Sequence, residues 1–407
     1  MRWREAILVQ ETQWRKLQIL TAASGLSFLG SALTTFAVVL RDKEAAGPAG
    51  VSALFLCMLV PSVIFSPWAG LLADKYQTRL FLPPLMLVMS LCSFSLALDL
   101  PVWWAYIALF LSSTANTGVA ASFTALIPSL AKQEDMSRVT GMQTTFNALG
   151  TMMAPALGGV LVDRTGYVWP FIIDGVSFLV LALTVILLKV NRVGITEHDE
   201  GSLKALAGVK FVFKDPLIRA IVLLTAVLIV SLGVIQVGEV FLLIDELGAT
   251  PLIYGIVGAI FALGAITGGV FTTLKKVPLR YHLRIVTVAI LMIVIVVFTI
   301  ARAHHWWVVM TFGFIGGVCM SLLNAYGIGF IQNRTEESVR ARVMSTFNAI
   351  ITVGSVTSTA IAGIAIAGFG VRNVFQAAAV IGLVILLIFG PAVLKAGKHY
   401  GREELIK

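Results

Sequence analysis

A five-residue motif occurs twice in this chain, half a chain length apart. The first copy, Thr-Thr-Phe-Asn-Ala, occupies residues 144–148 and the second, Ser-Thr-Phe-Asn-Ala, occupies 345–349, a displacement of 201 positions in a chain of 407. Each copy follows a short charged stretch and opens a long apolar run. The members of a second recurring set, offset by 204, are Gly166 and Phe171, then Gly370 and Phe375. The chain is therefore predicted to contain two copies of one structural unit.

Long apolar runs dominate both copies. Apolar residues make up 58% of the chain and charged residues 13%, whereas about a quarter of the residues in a typical soluble domain are charged. A run of roughly 20 apolar residues crosses a bilayer as a helix, because lipid forces the backbone to satisfy its own hydrogen bonds. The fold class predicted is an all-α membrane protein, with twelve transmembrane helices in two six-helix repeats. We number the runs as spans 1 to 12: 17–40, 50–73, 80–98, 102–124, 139–161, 169–190, 218–242, 252–274, 285–301, 306–331, 343–367 and 374–394.

The repeats set the predicted domain boundaries. Residues 1–190 form an N-terminal six-helix bundle, which opens with a short amphipathic segment of tryptophans among basic residues. Residues 191–217 are a short charged linker in the cytoplasm, and 218–407 form the C-terminal bundle with a short cytoplasmic tail. The outer connections, such as a loop predicted at 41–49, are too short to hold a further domain.

Basic residues fall mainly on one side of the predicted membrane. With the amino terminus inside, 25 of them lie in cytoplasmic segments and 5 in outer segments, which accounts for all 30. This asymmetry places both termini in the cytoplasm by the positive-inside rule. The net charge of +9 is spread over every cytoplasmic loop, which argues against a nucleic-acid partner.

The turn between spans 2 and 3 carries a glycine, an acid and two basic residues in a recognisable order. Residues 70–79 read Gly-Leu-Leu-Ala-Asp-Lys-Tyr-Gln-Thr-Arg, which resembles the signature Gly-x-Leu-a-Asp-r-x-x-x-Arg of the major facilitator superfamily. The glycine favours close helix approach, and the acid is an acceptor at the membrane boundary. The resemblance implies that the acid contacts the start of span 11 when the protein is closed inside; the alternative is an ordinary tight turn. We call this set the inner latch: Gly70, Asp74, Lys75, Arg79, Arg340 and Arg342.

Span 5 carries a second signature. Residues 150–159, Gly-Thr-Met-Met-Ala-Pro-Ala-Leu-Gly-Gly, resemble the exporter-type motif Gly-x-x-x-Gly-Pro-x-x-Gly-Gly of the same superfamily, with alanine replacing one glycine. Small residues on one helical face permit close helix contact, and the proline invites a bend. The resemblance implies efflux, in the branch that contains macrolide-efflux and enterobactin-export proteins; the alternative is a merely well-packed helix pair. The span 5 motif consists of Gly150, Ala154, Pro155, Gly158 and Gly159.

Two acids lie clearly within the predicted spans, Asp174 in span 6 and Glu239 in span 7. Because an ionisable group is costly at such depth, each is a candidate to exchange a coupling proton. The alternative is that each reaches the outer interface. Gln236 lies one turn before Glu239 and Ser177 one turn after Asp174, so each acid is expected to have a polar neighbour on its own helix.

Polar stripes in spans 5 and 11 are further candidates for lining a cavity. Gln143, Asn147 and Thr151 recur at four-residue spacing in span 5, and Asn348 belongs to a stripe in span 11. The alternative is hydrogen bonding between helices. Proton-coupled exporters of the superfamily often carry an arginine in the middle of the fourth helix, where this chain has Thr114, so the resemblance does not extend to that feature.

These features predict a secondary active transporter that exports an amphipathic or lipophilic small molecule by alternating access, with proton antiport. We expect a small-molecule substrate, protons and membrane lipids as partners, no cofactor, no metal and no enzyme activity, and a monomer in the bacterial cytoplasmic membrane. A nucleotide-binding loop of the form Gly-x-x-x-x-Gly-Lys-Ser/Thr is missing from the sequence, which argues against an ATP-driven pump. The alternatives are a lysolipid, metabolite or iron-chelate transporter or facilitator, and, less favoured, a non-transporting receptor.

Overall fold

The structure, a computed structural model, describes residues 11–98, 100–189, 225, 229, 233–275, 277–335 and 337–403. Every regular element within these ranges is helical, which confirms the all-α fold class. The predicted linker, the segment before residue 11 and most of span 7 lie outside the described residues.

The described part of the first repeat contains five α-helices: α1 (Trp14–Lys75), α2 (Thr78–Leu96), α3 (Val102–Leu126), α4 (Met136–Thr165) and α5 (Val168–Leu187). The 62 residues of α1 exceed what one bilayer crossing needs, and they hold both span 1 and span 2. A kink at Gly47, with φ 61° and ψ −159°, divides the two spans. The predicted loop at 41–49 is therefore wrong: the chain stays helical up to a single glycine, whose positive φ changes its direction.

The second repeat begins, in its described part, with helical residues that end in a π-helical turn, Phe241–Glu246. Five α-helices follow and hold spans 8 to 12: α6 (Pro251–Leu274), α7 (Leu279–Ala301), α8 (Trp306–Arg334), α9 (Glu337–Phe369) and α10 (Val371–Glu403).

Nine helices in the described part of the chain are long and apolar enough to cross a membrane. The long α1 accounts for two spans, and α3 falls outside the nine because its middle carries a polar stretch at 112–117. With α3 included, eleven of the twelve predicted spans lie in described helices, and span 7 is described only in part. Large apolar side chains cover the outside, such as Ile364 at 75% exposed and Leu187 at 68%. Such a surface suits lipid rather than water.

The two repeats use the same helix pairing. Helix α2 packs mainly against α5 and α3, and α7 packs mainly against α10 and α8. Gly166, with φ 75°, ends α4 at the point where Gly370, with φ 79°, separates α9 from α10. Phe171 and Phe375 then anchor the next helix, each at most 1% exposed. The landmarks that recur in the sequence are thus the residues that set the turns and fill the cores.

The described residues form two compact units. The first unit takes in the described residues up to Ala46, those from Ala53 to 189, and Thr250–Gly255. The second takes in Gly47–Ser52 and the remaining described residues from 225 onward. Each unit therefore includes a short helix-opening segment from the other half of the sequence.

Candidate functional site

Asp174 is the centre of a polar cluster inside the first unit. Its side chain lies in α5 with 2% of its surface exposed. Three hydroxyls from other helices donate to its carboxylate: Ser31 Oγ at 3.1 Å and Thr34 Oγ1 at 2.9 Å from α1, and Ser93 Oγ at 2.5 Å from α2. Ser177, the neighbour expected from the sequence, instead donates to the backbone oxygen of Asp174 at 2.7 Å. The partners of the carboxylate therefore come from helix packing and not from its own helix.

Glycines bring these three helices close together. A Cβ atom at Gly30 of α1 would lie 2.9 Å from Asp174 Cα, and one at Gly175 would lie 2.6 Å from the ring of Phe94 in α2. Ser90, one turn before the α2 hydroxyl donor, donates to Gly175 O at 2.8 Å. The backbone of α5 is thus fixed on both sides of the carboxylate, so its hydroxyl partners are held in place.

A cavity of about 250 Å³ lies beside the carboxylate, between α1, α2, α3 and α5. Asp174 and its three hydroxyl donors form part of the wall, and α3 contributes Ser112, Ser113 and Asn116. Apolar side chains, including Met58 and Leu109, complete it. The polar stretch that lowers the hydropathy of α3 therefore faces a cavity that contains a buried acid.

Asp42 is a buried acid that the sequence analysis missed. Its side chain in α1 is fully buried, and neither carboxylate oxygen has a hydrogen-bond partner among the described residues. Arg41 Nε lies 3.6 Å from Asp42 Oδ1. Arg41 also donates to Leu96 O at 3.0 Å and lies over the ring of Phe171. The predicted loop at 41–49 made these two residues look solvent-exposed, and no signal in the sequence alone indicated otherwise.

Glu239 is placed in the second unit, three residues after the exposed Gln236. It is half-buried and stands just before the π-helical turn Phe241–Glu246. Such turns are frequent at functional sites in helices. At the end of this turn, Glu246 forms an ion pair with Arg372, which also donates to Ala303 O at 2.6 Å. The two predicted acids thus belong to different units.

The span 5 motif forms a tightly packed face on α4. A Cβ atom at Gly150 would lie 2.8 Å from the ring of Phe28, and one at Gly158 would lie 2.8 Å from the ring of Phe36, both in α1. Ala154, between them, is 1% exposed. Along this face, aromatic rings of α1 therefore pack against glycines of α4.

The same motif contacts the start of α6, within the first unit. A Cβ atom at Gly159 would lie 2.8 Å from Pro251 O, and Gly255 packs on the backbone of Pro155. The ring of Tyr254 stacks on Phe36 with centroids 5.1 Å apart.

An equivalent contact occurs in the second unit, 204 positions after Gly159. There Gly363 lies against Ser52 and 2.7 Å, measured from a built Cβ, from Pro48 O. Both repeats thus have one glycine in close contact with the backbone that opens a spanning helix.

The inner latch residues are divided between the two units. Asp74 and Lys75 end α1 and Arg79 lies near the start of α2, in the first unit, whereas Arg340 belongs to α9 in the second. Arg340 Nη2 donates to Thr335 O at 3.4 Å, and the side chain of residue 342 lies outside the described part. At Gly70, a built Cβ would meet no described atom within 4 Å. The latch as a whole remains a prediction.

The polar stripes lie on open faces of their helices. Asn147 of α4 and Asn348 of α9, which the repeat relates, are both exposed, and Gln143 is half-buried. Thr151 Oγ1 donates to the backbone oxygen of Asn147 at 2.9 Å, and the side-chain amide of Asn147 takes no part in that bond. Within the described residues, no group of three or more His, Cys, Asp or Glu is placed to hold a metal ion.

Comparison with known proteins identifies the family. The Major Facilitator Superfamily matches residues 20–274 and again residues 239–404. Macrolide efflux protein A of Streptococcus pyogenes is 23% identical over 192 residues, which cover 44% of this chain and 46% of that protein. The Enterobactin exporter EntS of Salmonella typhi is 24% identical over 293 residues, covering 68% of this chain and 67% of that protein. The chain thus spans about half the length of the macrolide relative.

A crystal structure of the nucleoside transporter NupG superposes with a TM-score of 0.71 at 14% identity, covering 93% of this chain and 99% of that one. This likeness concerns the fold alone. The family match and the two relatives confirm the resemblance inferred from the turn and span 5 signatures. The chain belongs to the Major Facilitator Superfamily and is an integral membrane protein.

Proposed function

We propose that this transporter exports an amphipathic or lipophilic small molecule across the bacterial cytoplasmic membrane by alternating access, in exchange for protons. The observation that carries the proposal is the packed face of the span 5 motif, where glycines meet Phe28, Phe36 and the backbone of Pro251 at van der Waals limits. The motif resembles that of exporters in the superfamily. The printed names of both relatives, a macrolide efflux protein and an enterobactin exporter, support the same direction of transport.

Alternating access needs helix contacts that are tight but built from few atoms, so that they separate without large cost. The equivalent contacts at Gly159 and Gly363 have this character, since each sets a bare backbone against the start of a spanning helix. The exposed amides of Asn147 and Asn348 are suited to an aqueous pathway, because polar groups in membrane helices usually face a water-filled cavity or the protein interior.

The remaining parts of the proposal concern orientation and energy. The 25 to 5 division of basic residues supports cytoplasmic termini. We propose that one of the two acids in the spans exchanges the proton, and of these Asp174 is buried whereas Glu239 is half-buried. We propose a monomer, with membrane lipids around the apolar outer surface.

A second candidate substrate is enterobactin, which the name of the longer-matching relative favours. Lysolipids and other metabolites are the further candidates.

Inverted membrane vesicles that contain the protein test the proposal. A labelled macrolide antibiotic is the first probe, with enterobactin, a lysolipid and a nucleoside as comparisons. We expect the macrolide to accumulate in vesicles with an acidic lumen and the accumulation to collapse when a protonophore is added. Control vesicles should carry Gly255→Val, because a side chain there would collide with the Pro155 backbone. Equal accumulation in wild-type, variant and protein-free vesicles would contradict export.

A further inference from the structure

We infer that the cavity beside Asp174 is the binding site of the coupling cation, a proton or Na⁺, in the first unit. The inference rests on the proposed function only in calling this cation the coupling ion. The binding site itself is argued from the charge balance and from the hydroxyl and amide oxygen atoms in the wall of the cavity.

The first step concerns charge. Asp174 is the sole charged residue in α5, and its side chain is 2% exposed. None of the described residues that line the cavity is Lys or Arg. A buried carboxylate without a counter-charge is strongly unfavourable, so it requires either a bound proton or a bound cation. Hydrogen bonds alone therefore do not compensate the charge of the Asp174 carboxylate.

The second step concerns the ligands. Hard cations prefer oxygen donors, and carboxylate and hydroxyl oxygens are what this cavity offers. The hydroxyls of Ser31, Thr34 and Ser93 lie within 3.1 Å of the carboxylate. Each hydroxyl that donates its proton to the carboxylate keeps lone pairs for a cation. Ser112 and Asn116 add oxygen atoms from the facing helix.

The third step concerns room. A cation site needs space beside the carboxylate for the ion. Here about 250 Å³ lies against a buried acid, with hydroxyl groups on both sides. This space admits a cation with part of its water shell.

The charged and titratable groups around the site are few. On α2 the cavity contains the Cys92 thiol, and the part of α3 that lines it is uncharged. On α1 the nearest charges along the chain are Arg41 and Asp42, seven and eight residues after Thr34, and the Arg41 side chain is bonded to Leu96 O at the edge of the cavity. Asp42 is already paired with Arg41. Asp174 is therefore the group in this cavity that a cation would neutralise.

Thermal unfolding of the purified full-length protein, without any transported molecule, tests the inference. The midpoint is measured in NaCl against choline chloride at fixed ionic strength, and then across a series of pH values in choline chloride. If Na⁺ occupies the site, the wild-type midpoint rises with NaCl. If a proton occupies it, the midpoint falls as the pH is raised, because removing the proton leaves an uncompensated charge. Asp174→Asn should abolish the NaCl response in the first case and reduce the pH response in the second.

A matched pair of α2 variants keeps the test valid if Asp174→Asn fails to fold. Ser93→Ala removes a hydroxyl from the carboxylate, whereas Ser90→Ala removes an equally buried hydroxyl that bonds only the Gly175 backbone. Ser93→Ala should weaken the cation or pH response, and Ser90→Ala should keep it. Responses that are the same in Ser93→Ala, Ser90→Ala and wild type, or a full response in Asp174→Asn, would overturn the site.

The outcome is separable from that of the export experiment. A response that depends on Asp174, in a protein that moves no probe in vesicles, would retain the cation site and contradict the proposed function. Export without such a response would retain the function and remove the site. A Na⁺ response without a pH response would keep the site and replace the proton in the proposed exchange.

Discussion

The two repeats share their helix pairing but differ at the position where a charge is buried. Asp174 lies in the first, and 204 positions later the second has Ala378, also buried. Ala378 lines an apolar cavity of about 430 Å³ together with Val234, Ile361 and Phe369. The wall of the cavity beside Asp174, by contrast, includes hydroxyl groups among its apolar side chains.

The two repeats therefore share the residues that support the fold but differ in the buried acid. Gly166 and Gly370 make the same turn, and Phe171 and Phe375 fill the same buried position. These residues support the common fold, so their effects should be similar in both halves. The buried acid and its hydroxyls occur in one half, so the ion chemistry is expected to be one-sided. The predictions below test this division.

The largest effect should come from moving the charge into the second repeat. Ala378→Asp would bury a carboxylate in an apolar cavity without hydroxyl donors from neighbouring helices, which costs about 2 to 7 kcal/mol. We expect a large fall in folded yield and in the unfolding midpoint of the purified protein. Ala378→Leu, which adds volume without charge, is the control and should be tolerated better. An Ala378→Asp protein as stable as wild type would break the proposed asymmetry.

Gly158→Val should have the second largest effect. The valine side chain would overpack against Phe36 and lower the stability of the fold by about 1 to 3 kcal/mol. The control is Gly141→Val in the same helix, where a built Cβ meets no described atom within 4 Å. Export by vesicles with matched protein content is the measurement. Normal export by Gly158→Val would remove the close contact of the span 5 motif from the account.

Gly159→Ala and Gly363→Ala should have smaller and equal effects, of about 1 to 2 kcal/mol each. Each methyl group would press on a proline carbonyl oxygen, of Pro251 in one case and of Pro48 in the other. Transport rates and unfolding midpoints of both variants compare the two halves directly. If one glycine tolerates alanine and the other abolishes transport, the repeat does not conserve this contact.

Asp74→Asn should have the smallest effect. Asp74 is exposed, and a charge-assisted contact at such a boundary is worth about 1 kcal/mol or less, enough to shift a balanced conformational equilibrium about fivefold. The measurement is labelling of a cysteine introduced on the cytoplasmic side. The control is Asp163→Asn, which changes an exposed acid near the C-terminal end of α4. Unchanged labelling and transport in Asp74→Asn would eliminate the latch.

Much of the fold followed from the sequence because membrane helices are local structures. The spans, the recurring turns at Gly166 and Gly370 and the small face of the span 5 motif all depend on residues close together in the chain. The continuous α1 did not follow, since a helix can change direction at one glycine such as Gly47 without any polar loop.

Only part of the candidate site could be predicted, because the sequence shows relations within one helix but not contacts between helices. Depth in an apolar run singled out Asp174, but the sequence suggested Ser177 as its neighbour because only spacing along one helix is visible there. The actual donors, Ser31, Thr34 and Ser93, come from two other helices and depend on tertiary packing. The burial of Asp42 depends on packing in the same way.

The most direct test of one-sided coupling is substrate accumulation in proteoliposomes driven by an imposed ion gradient, compared between Asp174→Asn and Glu239→Gln. Both changes preserve size but remove the ability to bind a coupling cation. The account predicts that Asp174→Asn abolishes gradient-driven accumulation while downhill exchange continues, and that Glu239→Gln keeps both. Gradient-driven accumulation that survives in Asp174→Asn, or is lost in Glu239→Gln alone, would contradict it.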